Sequence, residues 1–362
     1  MTVFPPFAER PGINGLSRNI TPVGQFEGRD VHEITLRLPE GPEARILTWG
    51  AVIRDLTIPV GQAQRQGVVL GFDSFADYPV HSPYFGAVVG RYANRISGGG
   101  FMLDGIWHAL TRNEGTSTTL HGGPGGFSQL VWDVLDLSLD SVTLGLTSPD
   151  GDQGFPGAAS VRCRYSLTSK TTLRVEFSAH STRATVFNLS QHAYFNLDGS
   201  PTIEGHSLRV WADSQTEVGP DLIPNGRILP VAGTALDLSH LRLLSDPGLC
   251  QKLDHNFVLT RSGADRLQPA ARLTSAVSGL SLTVLTTKPG LQVYDGHLLD
   301  VPVPGLNGQT YGAKAGLCLE PQFFPDSPNQ PGFPSARLEV GEIYNHVAEY
   351  VFKRPAAVRS NA

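Results

Sequence analysis

Four short stretches hold the residues of this chain best suited to moving protons and gripping polar ligands: Gly90-Arg-Tyr-Ala-Asn-Arg-Ile96, Leu120-His-Gly-Gly123, Asn188-Leu-Ser-Gln-His-Ala-Tyr-Phe-Asn-Leu197 and Cys318-Leu-Glu-Pro-Gln322. Glu320 follows the apolar run Gly316-Leu-Cys-Leu319, which places it at the end of a buried strand. A carboxylate there is costly unless paired, and burial raises its pKa toward the range of a general base. His192 lies among Asn188, Gln191, Tyr194 and Asn196 in an otherwise aromatic and apolar segment, where buried polar groups need partners. His121 precedes two glycines that let backbone approach a ligand or adopt unusual angles. Arg91 and Arg95 flank Asn94, and a guanidinium beside an amide suits a polyhydroxyl or carboxylate ligand. Each residue also has a plainer reading: a solvent-facing glutamate, satisfied core histidines, an exposed arginine pair.

Other chemistries find less support. The 11 histidines form no HxH or HExxH pair, so no metal site is expected. There is no GxSxG elbow for a serine nucleophile. The glycines after His121 lack the Lys-Ser/Thr of a phosphate loop. With 28 Lys+Arg against 33 Asp+Glu and a net charge of −5, the chain has no basic face for nucleic acid. No apolar window is long enough for a membrane span, and the start, Met1 to Phe7, has no basic stretch ahead of an apolar run, so no secretory signal is expected. The 3 cysteines, Cys163, Cys250 and Cys318, are widely separated and fit a reducing, cytoplasmic setting.

The elements that must hold these residues are strands. Ile34, Leu36 and Leu38 alternate with polar neighbours, and so do Val142, Leu144 and Leu146, then Leu173, Val175, Phe177 and Ala179, then Leu208, Val210 and Ala212. Asp104-Gly105, Asp150-Gly151 and Asn225-Gly226 suit tight hairpin turns. The 40 glycines and 27 prolines imply many turns, and helices are expected only as short connectors near Ser74–Tyr78 and Gly248–Leu253. The pattern predicts an all-β, antiparallel sandwich in one domain over 1–362, with a core of about 20–353 and a tail at 354–362.

Taken together and in order, these stretches resemble the aldose 1-epimerase family, the galactose mutarotases. The likeness runs from about Ile46 to Phe352 and adds SPDGDQGFPG at 148–157, LDHNFVL at 253–259, KPGLQVYDG at 288–296 and LEPQFFPDSPNQPGFP at 319–334. The resemblance implies a large β-supersandwich that interconverts the α and β anomers of a free sugar without a cofactor. It implies Glu320 as general base and His192 as general acid, with Asn94, Arg95, His121, Tyr194, Asp254 and Gln292 binding substrate. Within that set it implies Arg95 and Asp254 on sugar hydroxyls and His121 near the ring oxygen. The chemistry agrees: opening a cyclic hemiacetal takes a proton from the anomeric hydroxyl and gives one to the ring oxygen.

Gln191-His192-Ala193 and Lys288 depart from the family pattern, which puts the rim of the pocket and sugar preference in question. Two other classes compete: a carbohydrate-binding or regulatory module on the same scaffold, and a β-sandwich glycoside hydrolase using Glu320 with Asp254. The expected partner is a monosaccharide, not nucleic acid or membrane, with the protein a monomer or weak dimer.

Overall fold

In the computed structural model, which describes residues 19–61, 64–260 and 266–353, the alternating segments form strands in the expected phase. Along Thr172–Ser181, Leu173, Val175, Phe177 and Ala179 are buried while Arg174, Glu176 and Ser178 face partly outward. This strand is central in a nine-stranded antiparallel sheet running in space from Asp133–Leu137 at one edge to Arg242–Leu243 at the other. Its other neighbour is Tyr344–Lys353, so the end of the described chain is tied into the middle of the sheet. A five-stranded meander covers 20–67, and one core cluster takes side chains from both of these sheets and from a third.

That third sheet carries the chemistry. Its six strands lie in the order Tyr194–Phe195, Leu317–Gln322, Gly290–Tyr294, Asp254–Leu259, Ala212–Val218 and Pro224–Pro230. The chain enters it at Trp211, immediately after His206–Val210 ends in the nine-stranded sheet. Pleating sorts the residues: Leu317, Leu319, Leu291, Val293 and Phe257 pack in the core, so their even-numbered neighbours point the other way. Registration then aligns Asp254, Tyr294 and Cys318 in one row and Asn256, Gln292 and Glu320 in the next. Polar side chains far apart in sequence are thereby set side by side.

Asp104 and Gly105 both take positive φ and close the hairpin between Gly100–Leu103 and Ile106–Ala109. The short helix expected near Ser74 is present as a turn at Phe75–Asp77 continued by Tyr78–His81, capped by the Ser74 hydroxyl. The helix expected over Gly248–Leu253 is not formed. Asp246, paired with Arg242, accepts the Gly248 N–H at 2.8 Å, and the Leu249 N–H bonds to Asp246 O, giving a local turn instead. Glu320 is not at its strand's end, since pairing continues through Gln322. The tail 354–362 and the start of the chain lie outside the described residues.

Candidate active site

Glu320 projects from the six-stranded sheet, and His192 comes from the short strand Ser190–His192 that packs across it. His192 Nε2 stands 3.6 Å from Glu320 Oε1, with the side chains only 6% and 2% exposed. This exceeds a hydrogen bond but is close enough for both groups to reach neighbouring atoms of one ligand. Glu320 Oε2 and Gln292 Oε1 are buried and bonded to no protein group. His121 joins them: its ring lies 5.1 Å from that of His192, and a ring nitrogen of each histidine and a Glu320 oxygen all fall within 4.8 Å of one another.

The His121 loop is built by reciprocal bonds. His121 N donates to Asn94 O, and Asn94 N donates to His121 Nδ1, both at 3.1 Å. Because Nδ1 is the acceptor, the neutral ring carries its proton on Nε2 and offers a donor there. Asn94, His121 and Tyr84 all adopt left-handed backbone, with φ of 67°, 53° and 66°. Gly122 is required next, since a Cβ there would run into the backbone at Gly90 and Arg91. Tyr84 walls the cluster, its ring 4.6 Å from His121 and 5.6 Å from His192.

Charge enters from one side. Arg95 grips Glu114 with two bonds of 2.7 and 2.8 Å, while its other nitrogen lies 3.6 Å from Asp254. Asp254 also accepts from Gln292 Nε2 at 2.6 Å. Burial pushes the Glu320 carboxyl well above its ordinary range, helped by nearby Asp254 and opposed by Arg95. Burial pushes His192 down to about 4, against a smaller opposing pull from its own carbonyl. His121 is driven well down by burial, then by His192 and Arg95. Buried together, the acid and base favour their neutral forms.

The sequence-predicted residues thus converge, with qualifications. Tyr194 lies beside His192 at 5.2 Å between rings, but its hydroxyl donates to Pro83 O and also interacts with the Cys318 thiol. Arg91 is neither a ligand nor exposed: it is buried between Phe155 and Phe187 and bonds Ser148, Pro156 and Gly157. Gln191 is spent internally, on Gly86 O and Ala193 N. Lys288 is buried against Phe323 and Tyr344 and donates to Asn345 O. Sequence reasoning missed three contributors: Glu114, Tyr84 and Cys318, whose Sγ is 3.6 Å from His192 Nδ1. The period-two rule placed Cys318 on the face of Glu320 and was the available signal.

The aldose 1-epimerase family matches residues 32–351. Galactose mutarotase of Sus scrofa is 42% identical over 316 residues, covering 85% of this chain and 90% of that protein. Aldose 1-epimerase of Escherichia coli K12 is 34% identical over 344 residues, covering 92% and 99%. Among solved structures, an aldose epimerase homologue from C. elegans aligns with a TM-score of 0.84 at 31% identity, over 90% of this chain and 99% of that one. A galactose 1-epimerase from Lactobacillus acidophilus aligns at 0.80 with 27% identity, over 93% and 99%.

Proposed function

Since the chain belongs to the aldose 1-epimerase family, an enzyme that interconverts the anomers of a free aldose, we propose that Glu320 and His192 are its base and acid. The observation that carries this assignment is their 3.6 Å approach in a buried cluster. Both oxygens that exchange protons in mutarotation are bonded to one carbon, so the two groups must be neighbours. Glycosidic cleavage instead needs carboxyls about 5 to 10 Å apart across a bond.

Glu320 takes the proton of the anomeric hydroxyl while His192 Nε2 gives one to the ring oxygen, and the ring opens to the aldehyde. Rotation about C1–C2 presents the other carbonyl face, and reversed transfers close the ring as the other anomer. Opening turns a charged pair into a neutral pair, the form that burial favours. The pair thus needs one internal proton transfer to be ready for a cyclic sugar. His121 Nε2–H is assigned to the ring oxygen, and Arg95, Asp254, Gln292 and Asn94 to the hydroxyls, with Tyr194 holding the His192 ring in place. The mechanism involves no redox or group-transfer step, and therefore calls on no cofactor.

Similarity to galactose mutarotases supports an aldohexose of the galactose type as substrate. The sheets share one core, which supports a single domain. Free Cys163, Cys250 and Cys318 support a reducing, cytoplasmic setting, and no helix of the described residues is long and apolar enough to cross a membrane. The test is polarimetry of fresh α-D-galactose with wild type, Glu320→Gln and His192→Asn. Acceleration lost in both variants supports the assignment, and near-normal rates in either remove that residue from its role.

A further inference from the structure

An imidazole that gives and then recovers a proton at Nε2 must keep its other nitrogen protonated throughout. If the neutral ring held its proton on Nε2, that atom would have no lone pair to accept the proton when the sugar ring closes. The group facing Nδ1 therefore decides whether His192 can complete a cycle.

That group is Cys318. Its Sγ lies 3.6 Å from His192 Nδ1, a normal length for a hydrogen bond involving sulfur, and the residue has no exposed surface. Cys318 and Glu320 are two apart on one strand and share a face, so a single strand presents the thiol to one nitrogen of His192 and the carboxylate to the other. Burial and the nearby Glu320 carboxylate hold the thiol well above its ordinary pKa, so it stays an uncharged S–H. The other groups around the ring are its own carbonyl, which exerts the smaller pull noted above, and Tyr84, His121 and Tyr194, whose rings lie 5.6, 5.1 and 5.2 Å away, with Arg95 and Asp254 beyond Glu320. Among the described side chains, Cys318 is the one seen in hydrogen-bond contact with Nδ1.

We propose that Cys318 is a positioning residue: its sulfur accepts the His192 Nδ1–H, fixing the neutral tautomer that leaves Nε2 free to exchange the proton with the sugar. This rests on the acid role given to His192. Sulfur is a weak acceptor, so it orients the ring without the stabilisation of imidazolium that a carboxylate would bring. The acid stays strong while its tautomer is set.

The experiment labels histidine with ¹⁵N in the full chain and reads the His192 tautomer near pH 8, with His192→Asn identifying the signal. Polarimetry on α-D-galactose then gives kcat and KM for Cys318→Ala and Cys318→Ser. Wild type is expected to show Nδ1–H. Alanine is expected to shift the ring toward Nε2–H, with kcat down about tenfold and KM within twofold. Serine, whose hydroxyl accepts the same proton, restores both the tautomer and most of kcat. A wild-type Nε2–H tautomer, an alanine variant that keeps Nδ1–H, or a serine variant no better than alanine overturns the proposal. The tautomer is read without turnover, so failure here is distinct from failure of the acid role, which His192→Asn reports. If alanine does not fold, the serine variant and wild-type tautomer decide.

Discussion

Glu114, which touches no assigned catalytic group, is expected to control sugar affinity through Arg95. The change Glu114→Gln keeps the side chain's size but removes its charge and one of two acceptors, so Arg95 loses a bidentate grip of 2.7 and 2.8 Å. Two unit charges near 4 Å attract by about 4 kcal/mol at an effective dielectric of 20. Glu114 is 34% exposed, and solvent screening with the residual amide bond leaves about 1 to 2 kcal/mol of lost restraint. Released from Glu114, Arg95 turns to Asp254, now 3.6 Å away, and occupies the carboxylate that a sugar hydroxyl would use. At about 1.4 kcal/mol per tenfold, KM should rise about five- to thirtyfold while kcat changes less than threefold. Initial polarimetric rates over a range of galactose concentrations measure both. A KM within twofold of wild type, or a fall confined to kcat, would refute the reasoning.

Three further outcomes follow from the same geometry. His121→Asn tolerates the left-handed backbone at this position but lacks the imidazole Nε2–H, so kcat/KM should fall about 10- to 100-fold in the polarimetric assay while the thermal midpoint stays close to wild type. His192 is pushed down to about 4 in the folded state, so its unfolded form binds the proton first as pH falls below 6.5; the unfolding free energy measured by urea titration from pH 6.5 to 4 should therefore drop, by up to about 3 kcal/mol from this group, and His192→Asn should make that slope shallower. Lys288→Met removes a buried ammonium from Phe323 and Tyr344 and should cost about 1 to 2 kcal/mol in urea unfolding with KM for galactose unchanged within twofold; a larger KM shift would return Lys288 to the pocket rim.

How far the sequence carried the reading depends on the kind of information each feature needs. Alternation fixes which face a residue takes, so the strands at Leu173 and Val142 were legible, whereas the unbroken apolar run before Glu320 left its side open. Registration between distant strands is not local, and only it reveals that Asn256, Gln292 and Glu320 share a row. Arg91 shows the cost: beside Asn94 in sequence it looks like a ligand, yet the fold turns it into the aromatic layer of Phe155 and Phe187. Likewise Gly248–Leu253 carries residues that could start a helix, but the Arg242–Asp246 pair holds the backbone as a turn. The roles of Glu320, His192 and their companions came from resemblance, and geometry adds why these two can act together.

The most direct test of the central claim is a single polarimetric comparison at neutral pH and saturating α-D-galactose of wild type, Glu320→Gln and His192→Asn, each verified as folded. The account predicts rapid approach to the equilibrium rotation with wild type and a loss of about a hundredfold or more in each variant, because either change removes one end of the proton exchange. A rate within a few-fold of wild type in either variant would contradict it.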